Sequence, residues 1–156
     1  MLNKMNIKLI DNPVRLAEFL NDRQNTGNIV ESSEHYCIKP DALYLGIYEG
    51  VMLVGVHEVR PFWLGVVECH AIYAPGFRGR YALEGHRLFC RWLLENSTFT
   101  NSITMVPDTT KYGRVIIRLL GARRVGHLDD AYLSAGKTVG VTLYQLTRAQ
   151  YEDMKP

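Results

Sequence analysis

The stretch that decides the fold is Ile72-Tyr73-Ala74-Pro75-Gly76-Phe77-Arg78-Gly79-Arg80, which leads directly into an amphipathic helix pattern over residues 81–96. An apolar strand runs into a short loop that carries Gly and Arg, and this loop opens the helix. The first N–H groups of a helix have no partner within it, and the helix dipole gives that end positive character. The junction therefore predicts an anion site that suits a pyrophosphate.

Length and composition predict one globular unit. The chain has 156 residues, of which 47% are hydrophobic, and this is enough for a full core. A chain of this length favours a single domain, which we expect to span residues 1–156. The net charge of +2 is too small to favour a nucleic-acid partner, and the local clusters of basic residues are typical of a solvated surface.

The cysteines and the apolar runs indicate a cytoplasmic compartment. Cys37, Cys69 and Cys90 lie far apart, as expected for reduced thiols. A metal site built from His35, Cys37, Cys69 and His70 would match none of the recurrent zinc spacings, so we expect no metal. No segment approaches the ~20 apolar residues of a membrane span, and the N-terminal apolar run is too short for a signal peptide. We expect a soluble cytoplasmic protein, in a bacterium or a phage-infected cell, without a membrane partner.

The hydrophobic patterns alternate between strand and helix periods. Strands are expected over residues 5–11, 42–48, 51–59, 66–73, 102–106, 122–128 and 138–146. Helices are expected to begin at Asn12-Pro13, at Tyr81 and at Pro107-Asp108. Residues 26–36 fit either a short helix or a loop. This order predicts an α/β domain whose mixed, mostly antiparallel central sheet has about six or seven strands and helices on both faces.

Two loops have alternative interpretations. Residues 131–138 end in Gly-Lys-Thr like a phosphate-binding P-loop, but residues 138–146 alternate as a strand, whereas a P-loop opens a helix. We therefore predict a hairpin turn at residues 134–137. Residues 61–65 are predicted to turn the chain before the central strand, and we expect Phe62 and Trp63 to anchor this turn to the core rather than to line a substrate opening.

The element order and the Arg-Gly loop resemble the GNAT superfamily of N-acetyltransferases along the whole domain. In that family the loop after the fourth strand reads Arg-Gly-x-Gly-x-Gly/Ala, and its backbone amides hold the pyrophosphate of acetyl-CoA. The matching residues are Arg78-Gly79-Arg80-Tyr81-Ala82-Leu83, so the Arg-Gly start agrees and the two later glycines are replaced by Tyr81 and Leu83. The run is most similar to the GNAT-like acyltransferases that bacteriophages encode.

This resemblance implies an acyltransferase that moves an acetyl group from acetyl-CoA to an amine by direct attack. The acceptor, a small molecule or a protein, is unknown, and a homodimer is left open. The resemblance also implies a cleft where the strand ending at Tyr73 separates from the strand over residues 102–106. The residues expected to bind acetyl-CoA are Ile72, Tyr73, Arg78, Gly79, Arg80, Tyr81 and Ala82.

Glu68 and His70 are the candidate general bases. They alternate by two along one strand, so their side chains point to the same face. They lie just before the anion loop, where an acceptor amine would meet the thioester. The competing interpretations are that Glu68 pairs with an arginine and that His70 is a core histidine. Cys69 points the other way and is expected to be a small buried side chain.

Two departures from the family pattern favour a second hypothesis. Besides the lost glycines, a helix motif ending at residues 119–122 places the family's Asn at Thr110 and its tyrosine acid at Ile117. Because Ile117 has no hydroxyl, Tyr112, Tyr132 or a water would have to protonate the leaving thiolate, or the step would proceed without a protein acid. The alternative function is a catalytically degenerate GNAT-fold protein that binds or assembles, in a phage particle or against a host protein.

Overall fold

The protein is described by a computed structural model that covers residues 5–26 and 35–154. Within these residues seven strands form one sheet. The strands are β1 (Met5–Leu9), β2 (Leu43–Glu49), β3 (Met52–Trp63), β4 (Val66–Tyr73), β5 (Asn101–Pro107), β6 (Arg123–Ser134) and β7 (Lys137–Thr147). Their order across the sheet is β1-β2-β3-β4-β5-β7-β6. Only β4 and β5 run parallel, so the expected mixed, mostly antiparallel sheet is confirmed.

Helices cover both faces of the sheet. They are α1 (Pro13–Asn21), α2 (Arg23–Thr26), α3 (Arg80–Asn96), α4 (Lys111–Leu119) and α5 (Arg148–Asp153). On one face α1 packs on the sheet through a buried cluster of Leu16, Leu20, Tyr44, Val56 and Ile72. On the other face α3 and α5 contribute to a second cluster, which includes Leu45, Cys69, Phe89, Leu93 and Tyr151. Cys69 is therefore the buried side chain that was expected, and burial raises the pKa of its thiol.

The start of α1 forms as predicted. The Asn12 side-chain oxygen accepts hydrogen bonds from the N–H groups of Val14 and Arg15, at 3.0 and 3.1 Å. Pro13 occupies the first helical position, where a missing N–H costs nothing. The ambiguous stretch over residues 26–36 lies largely outside the described residues, since these omit 27–34.

The turn before the central strand was predicted in the wrong place. β3 continues through Pro61 to Trp63, and the chain turns at residues 64–65. A register shift between Pro61 and Trp63 accommodates the proline, because a bulge tolerates a residue without an N–H. Phe62 and Trp63 are 53% and 75% exposed, so they do not anchor the turn to the core.

The C-terminal half contains three further differences. β6 extends to Ser134, beyond the predicted residue 128, through a register shift before Tyr132. The turn that follows joins β6 to β7 as a hairpin, which confirms that this loop is not a P-loop. α4 begins at Lys111 rather than at Pro107-Asp108. α5 was missed, although Thr147 and Gln150 form a capping box that the sequence shows.

The Tyr73 ring fixes the position of α3 against the end of β4. A Cβ atom at Gly85 in α3 would lie 2.1 Å from the Tyr73 hydroxyl oxygen, and a Cβ at Gly55 in β3 would lie 2.5 Å from the same ring. The Tyr73 hydroxyl is 2.8 Å from Nε2 of the buried His57, which stacks on Phe89 of α3. The N-terminal half of α3 is thereby held beside the end of β4.

Gly85→Ala tests this packing. In an ordinary helix position the change would stabilise by about 1 kcal/mol, because alanine is the better helix former. Here we expect a net destabilisation of about 2 kcal/mol, since the new methyl group overpacks a buried site. Urea denaturation measures the difference. Gly76→Ala is the matched control, since a Cβ there would meet no atom within 4 Å. A neutral or stabilising Gly85→Ala would contradict this placement of the Tyr73 ring.

Candidate active site

A cleft opens where β4 and β5 separate. The two strands are paired only from Val66 with Asn101 to Glu68 with Ile103. Beyond that point β4 continues to Tyr73 and β5 continues to Pro107, with a cleft of about 740 Å³ between them. Ala71, Ile72 and Tyr73 line one wall, and residues 104–107 line the other. The cleft thus lies where the resemblance had implied it.

The remaining walls come from elements that are distant in sequence. The N-terminal turn of α4 contributes residues 111–113, and the β6–β7 hairpin contributes residues 132–135. Ala82 and His86 of α3 also line the cleft, as do Tyr36, Lys39 and His70. The cleft therefore connects the N-terminus of α3 with the side chain of His70.

The N-terminus of α3 has the geometry of an anion site. Gly79 precedes the helix with φ +69° and ψ −122°, a conformation that favours glycine. The first helical hydrogen bond runs from the N–H of Leu83 to the Gly79 oxygen at 3.0 Å. The N–H groups of residues 80–82 therefore have no acceptor within the helix. A Cβ at Gly76 or Gly79 would meet no atom within 4 Å, so the space beside this backbone is open.

The bulky replacements of the family's later glycines do not fill the cleft. The Tyr81 ring packs edge-on against Phe77, with 5.3 Å between ring centroids. Ala82 lines the cleft, whereas Tyr81 and Leu83 do not. The substitutions at these two positions therefore do not close the cleft.

Arg78 and Arg80 differ in their surroundings. The Arg78 guanidinium donates hydrogen bonds to the backbone oxygens of Tyr73, Gln24 and Asn25, at 3.3, 3.0 and 3.3 Å. Arg78 thus ties the loop to α2, although it also lines the cleft. Arg80 is exposed and lies outside the cleft lining. The expectation that arginine side chains contact phosphate groups stays a prediction at both positions.

Glu68 and His70 come together as a buried carboxylate and a partly exposed imidazole. His70 Nε2 lies 2.6 Å from Oε1 of Glu68, and an Arg60 nitrogen lies 2.6 Å from Oε2. The pKa of Glu68 is lowered, chiefly because its carboxylate accepts a hydrogen bond from His70. Burial alone would raise this pKa, and the positive charge of Arg60 lowers it further. Glu68 is 2% exposed and does not line the cleft, whereas His70 does.

This geometry assigns the protons of the His70 ring. A carboxylate can only accept, so His70 Nε2 carries a proton and donates it to Glu68. In the neutral ring Nδ1 then holds the lone pair. The competing expectation for Glu68, that it pairs with an arginine, is also met by Arg60.

A second buried carboxylate, Glu58, was missed from the sequence. Lys39 Nζ lies 2.7 Å from its Oε1, and the hydroxyls of Tyr36 and Tyr44 donate to its Oε2. Burial tends to raise the pKa of Glu58, but the hydrogen bonds from Lys39 and Tyr36 outweigh it and the pKa is lowered. Glu58 is the cross-strand partner of His70. The β3–β4 register would have revealed this pairing, had the end of β3 been placed correctly.

Several side chains with hydroxyl groups line the same cleft as Ile117, which stands where the resemblance to the GNAT family places a tyrosine. Ile117 lines the cleft, as do Tyr112 and Tyr132, the two tyrosines considered as acids. The Thr110 hydroxyl oxygen is buried and has no hydrogen-bond partner within the described part of the chain. That Tyr112, Tyr132 or a water protonates the leaving thiolate stays a prediction.

Residues 5–26 and 35–154 contain neither a metal-binding cluster nor a helix that could span a membrane. In these ranges no group of three or more His, Cys, Asp and Glu side chains is arranged to hold a metal ion. Every helix within the same ranges is too short or too polar to cross a bilayer.

The fold is that of the GNAT acetyltransferases. Spermidine N-acetyltransferase from Vibrio cholerae, solved in complex with CoA and spermine, superposes with a TM-score of 0.81. The match covers 95% of this chain and 98% of that chain at 13% sequence identity, so it establishes the fold alone.

The chain belongs to the family described as "Protein of unknown function (DUF2824)", which matches residues 7–155. Its relatives include phage proteins. The chain is 38% identical over 146 residues to p31 of Acyrthosiphon pisum secondary endosymbiont phage 1, with 94% of each chain covered. It is 24% identical over 148 residues to gp14 of Salmonella phage P22, and this match covers 91% of this chain and 93% of gp14.

Arg60→Met tests the buried ion pair beneath the cleft. We expect the variant to lose about 2–3 kcal/mol of unfolding free energy at pH 7, because Glu68 keeps a buried charge without its cation. The pKa of Glu68 is lowered in the folded state, so the pair stabilises above the ordinary glutamate pKa of about 4.3 and this contribution is lost as the pH falls. The difference between variant and wild type should therefore shrink in acid.

Urea denaturation at several pH values measures this difference. Arg87→Met is the control, because its ion pair with Glu84 is exposed and should contribute little. Equal effects of the two substitutions at pH 7 would show that Glu68 does not depend on Arg60.

Proposed function

We propose that the protein is an acyl-CoA-dependent N-acyltransferase that moves an acetyl group from acetyl-CoA to an amine. The observation that carries this proposal is the continuity of the cleft. One end reaches the start of α3, where Arg78 and Ala82 line it, and His70 also lines the cleft. In acetyl-CoA, the pyrophosphate would lie at the start of α3 and the thioester would lie near His70.

The residues of the cleft fit such a carrier. The N–H groups of residues 80–82 would hold the pyrophosphate, with open space beside Gly76 and Gly79. Apolar side chains such as Ile72, Val106 and Ile116 would line the path of the pantetheine arm. The volume of about 740 Å³ lies within the range of small-molecule sites.

His70 would act as the general base. Its Nδ1 would accept a proton from the acceptor amine, directly or through one water, while Glu68 holds the ring by Nε2. The amine nitrogen attacks the carbonyl carbon, the new C–N bond forms, and the C–S bond breaks. The sulfur leaves with the electron pair and takes a proton from Tyr112, Tyr132 or water. The products are the N-acetyl amine and CoA.

The backbone of β4 would supply the remaining catalysis. Beyond Glu68 the edge of β4 that faces β5 is no longer paired with it, so an N–H group there can polarise the thioester carbonyl. Holding amine and thioester together contributes up to ~7–11 kcal/mol to the rate. This chemistry needs few catalytic side chains.

A non-catalytic binding or assembly protein is the second candidate. The observation that favours it is Ile117, which lines the cleft where the GNAT family has its tyrosine acid. The similarity to phage proteins p31 and gp14 is compatible with either function. Binding of acetyl-CoA separates the two candidates, since only the transferase needs it.

Thermal-shift titration with acetyl-CoA tests the binding site. A ligand at 100 times its Kd should stabilise the protein by ~2.7 kcal/mol. Arg80→Pro removes one N–H at the first helical position, where proline is tolerated, and we expect it to weaken acetyl-CoA binding by about tenfold. Arg80→Ala is the matched control, because it removes the same side chain and keeps the N–H. Equal affinities of the two variants would place the pyrophosphate elsewhere, and no shift in the wild type would reject the transferase.

His70→Ala tests the base. With any amine that supports turnover, we expect kcat to fall by about 10²–10⁴-fold, because the proton acceptor is gone. The Kd for acetyl-CoA should stay unchanged, since His70 lies at the far end of the cleft from α3. Glu68→Gln, which keeps a hydrogen-bond acceptor for the ring, should lose less activity. Wild-type kcat in the His70→Ala variant would remove His70 from the mechanism.

A further inference from the structure

We infer that the acceptor is an amine that carries a carboxylate close to its amino group, as an α-amino acid does, and not a polyamine. This inference rests on the proposed function and adds the class of acceptor. It follows from the charges around His70, which the structure describes in detail and which the transfer reaction itself does not require.

The described lining of the cleft, from residues 5–26 and 35–154, offers no carboxylate to a second ammonium group. Within the described part of the chain, the residues that line it include no Asp or Glu. The permanently charged side chains among them are cations: Lys39, Arg78 and Lys111. A second ammonium group of a polyamine would therefore meet no carboxylate among these lining residues.

The carboxylates beneath the acceptor end are already neutralised. Glu68 is held by Arg60 and His70, and Glu58 by Lys39 with two tyrosine hydroxyls. Both carboxylates are 2% exposed. Neither oxygen pair is therefore available to bind an ammonium ion that enters from the cleft.

Lys39 remains available to an anion. Its ammonium has three donors, of which one is directed to Glu58, and 35% of its side chain is exposed. The backbone of Lys39 is fixed as well, since its N–H donates to the Tyr44 hydroxyl at 2.9 Å. The backbone of this lysine is therefore held in place, and Lys39 is one of the residues that line the cleft.

The position of Lys39 relative to His70 sets the shape of the acceptor. Lys39 contacts Glu58, and Glu58 is paired with His70 across β3 and β4. Side chains of such cross-strand partners are neighbours, with Cβ atoms about 4.5–5.5 Å apart. An amine that reaches Nδ1 of His70 would thus bring a nearby carboxylate within reach of the Lys39 ammonium.

Matched acceptors test this inference with the intact protein. CoA release is measured at saturating acetyl-CoA with phenylalanine, with phenylalaninamide and with spermidine. We expect kcat/KM to be at least about tenfold higher for phenylalanine than for the other two, since a charged hydrogen bond contributes at least that much. The intrinsic reactivity of the amines favours phenylalaninamide, because its amino group is less basic and is more often in the neutral form that attacks the thioester. A preference for phenylalanine would therefore have to come from binding of its carboxylate.

Lys39 variants connect the preference to this side chain. Lys39→Met combined with Glu58→Gln removes the cation together with its buried partner, so no unpaired charge is left in the core. This variant should lose the preference for phenylalanine over its amide, mainly through KM, whereas Lys39→Arg should keep it. Persistence of the preference in the double variant would overturn the assignment of Lys39.

The outcomes separate the two proposals. If acetyl-CoA stabilises the protein but spermidine or the amide is the better acceptor, or if none of the three is acetylated, the inference is wrong and the acetyl-CoA site stands. If acetyl-CoA does not bind at all, the proposed function fails, and the inference fails with it.

Discussion

The short pairing between β4 and β5 is the constraint on which the site depends. The parallel ladder ends at Glu68 and Ile103, so the last residues of β4 have an edge that β5 does not cover. Because backbone groups in a sheet are normally satisfied by the next strand, such an opening exposes donors and acceptors to whatever fills it. Tyr73, packed between Gly55 and Gly85, keeps the end of β4 and the start of α3 together on one side of that opening.

The two ends of the cleft differ in electrostatic character. At the α3 end, unpaired N–H groups and the helix dipole favour a negatively charged ligand. At the His70 end, Glu58 and Glu68 are buried, but each is matched by a cation, so the floor of the cleft is close to neutral. This arrangement leaves His70 and Lys39 as the groups that a ligand would meet there. Their surroundings restrict the kind of acceptor more than they restrict the acyl donor.

Local patterns predicted most of the fold and only part of the site. The bounds of β4 and the cap at Asn12 follow from alternation and from capping, which depend on neighbouring residues. The alternation also placed Glu68 and His70 on one face. An arginine partner of Glu68 was considered, but its identity as Arg60 and the presence of Glu58 were not predicted, because the bulge after Pro61 shifts the hairpin register. The contacts of Arg78 with α2 join residues more than 50 positions apart, and no local pattern encodes them.

A crystal structure of the protein with acetyl-CoA tests the central claim most directly. The pyrophosphate oxygens should lie within hydrogen-bonding distance of the N–H groups of residues 80–82, and the thioester should lie between β4 and β5 on the side of His70. A carrier bound elsewhere on the surface would contradict the claim, as would side chains of β4, β5 or α4 that close the gap between the two strands.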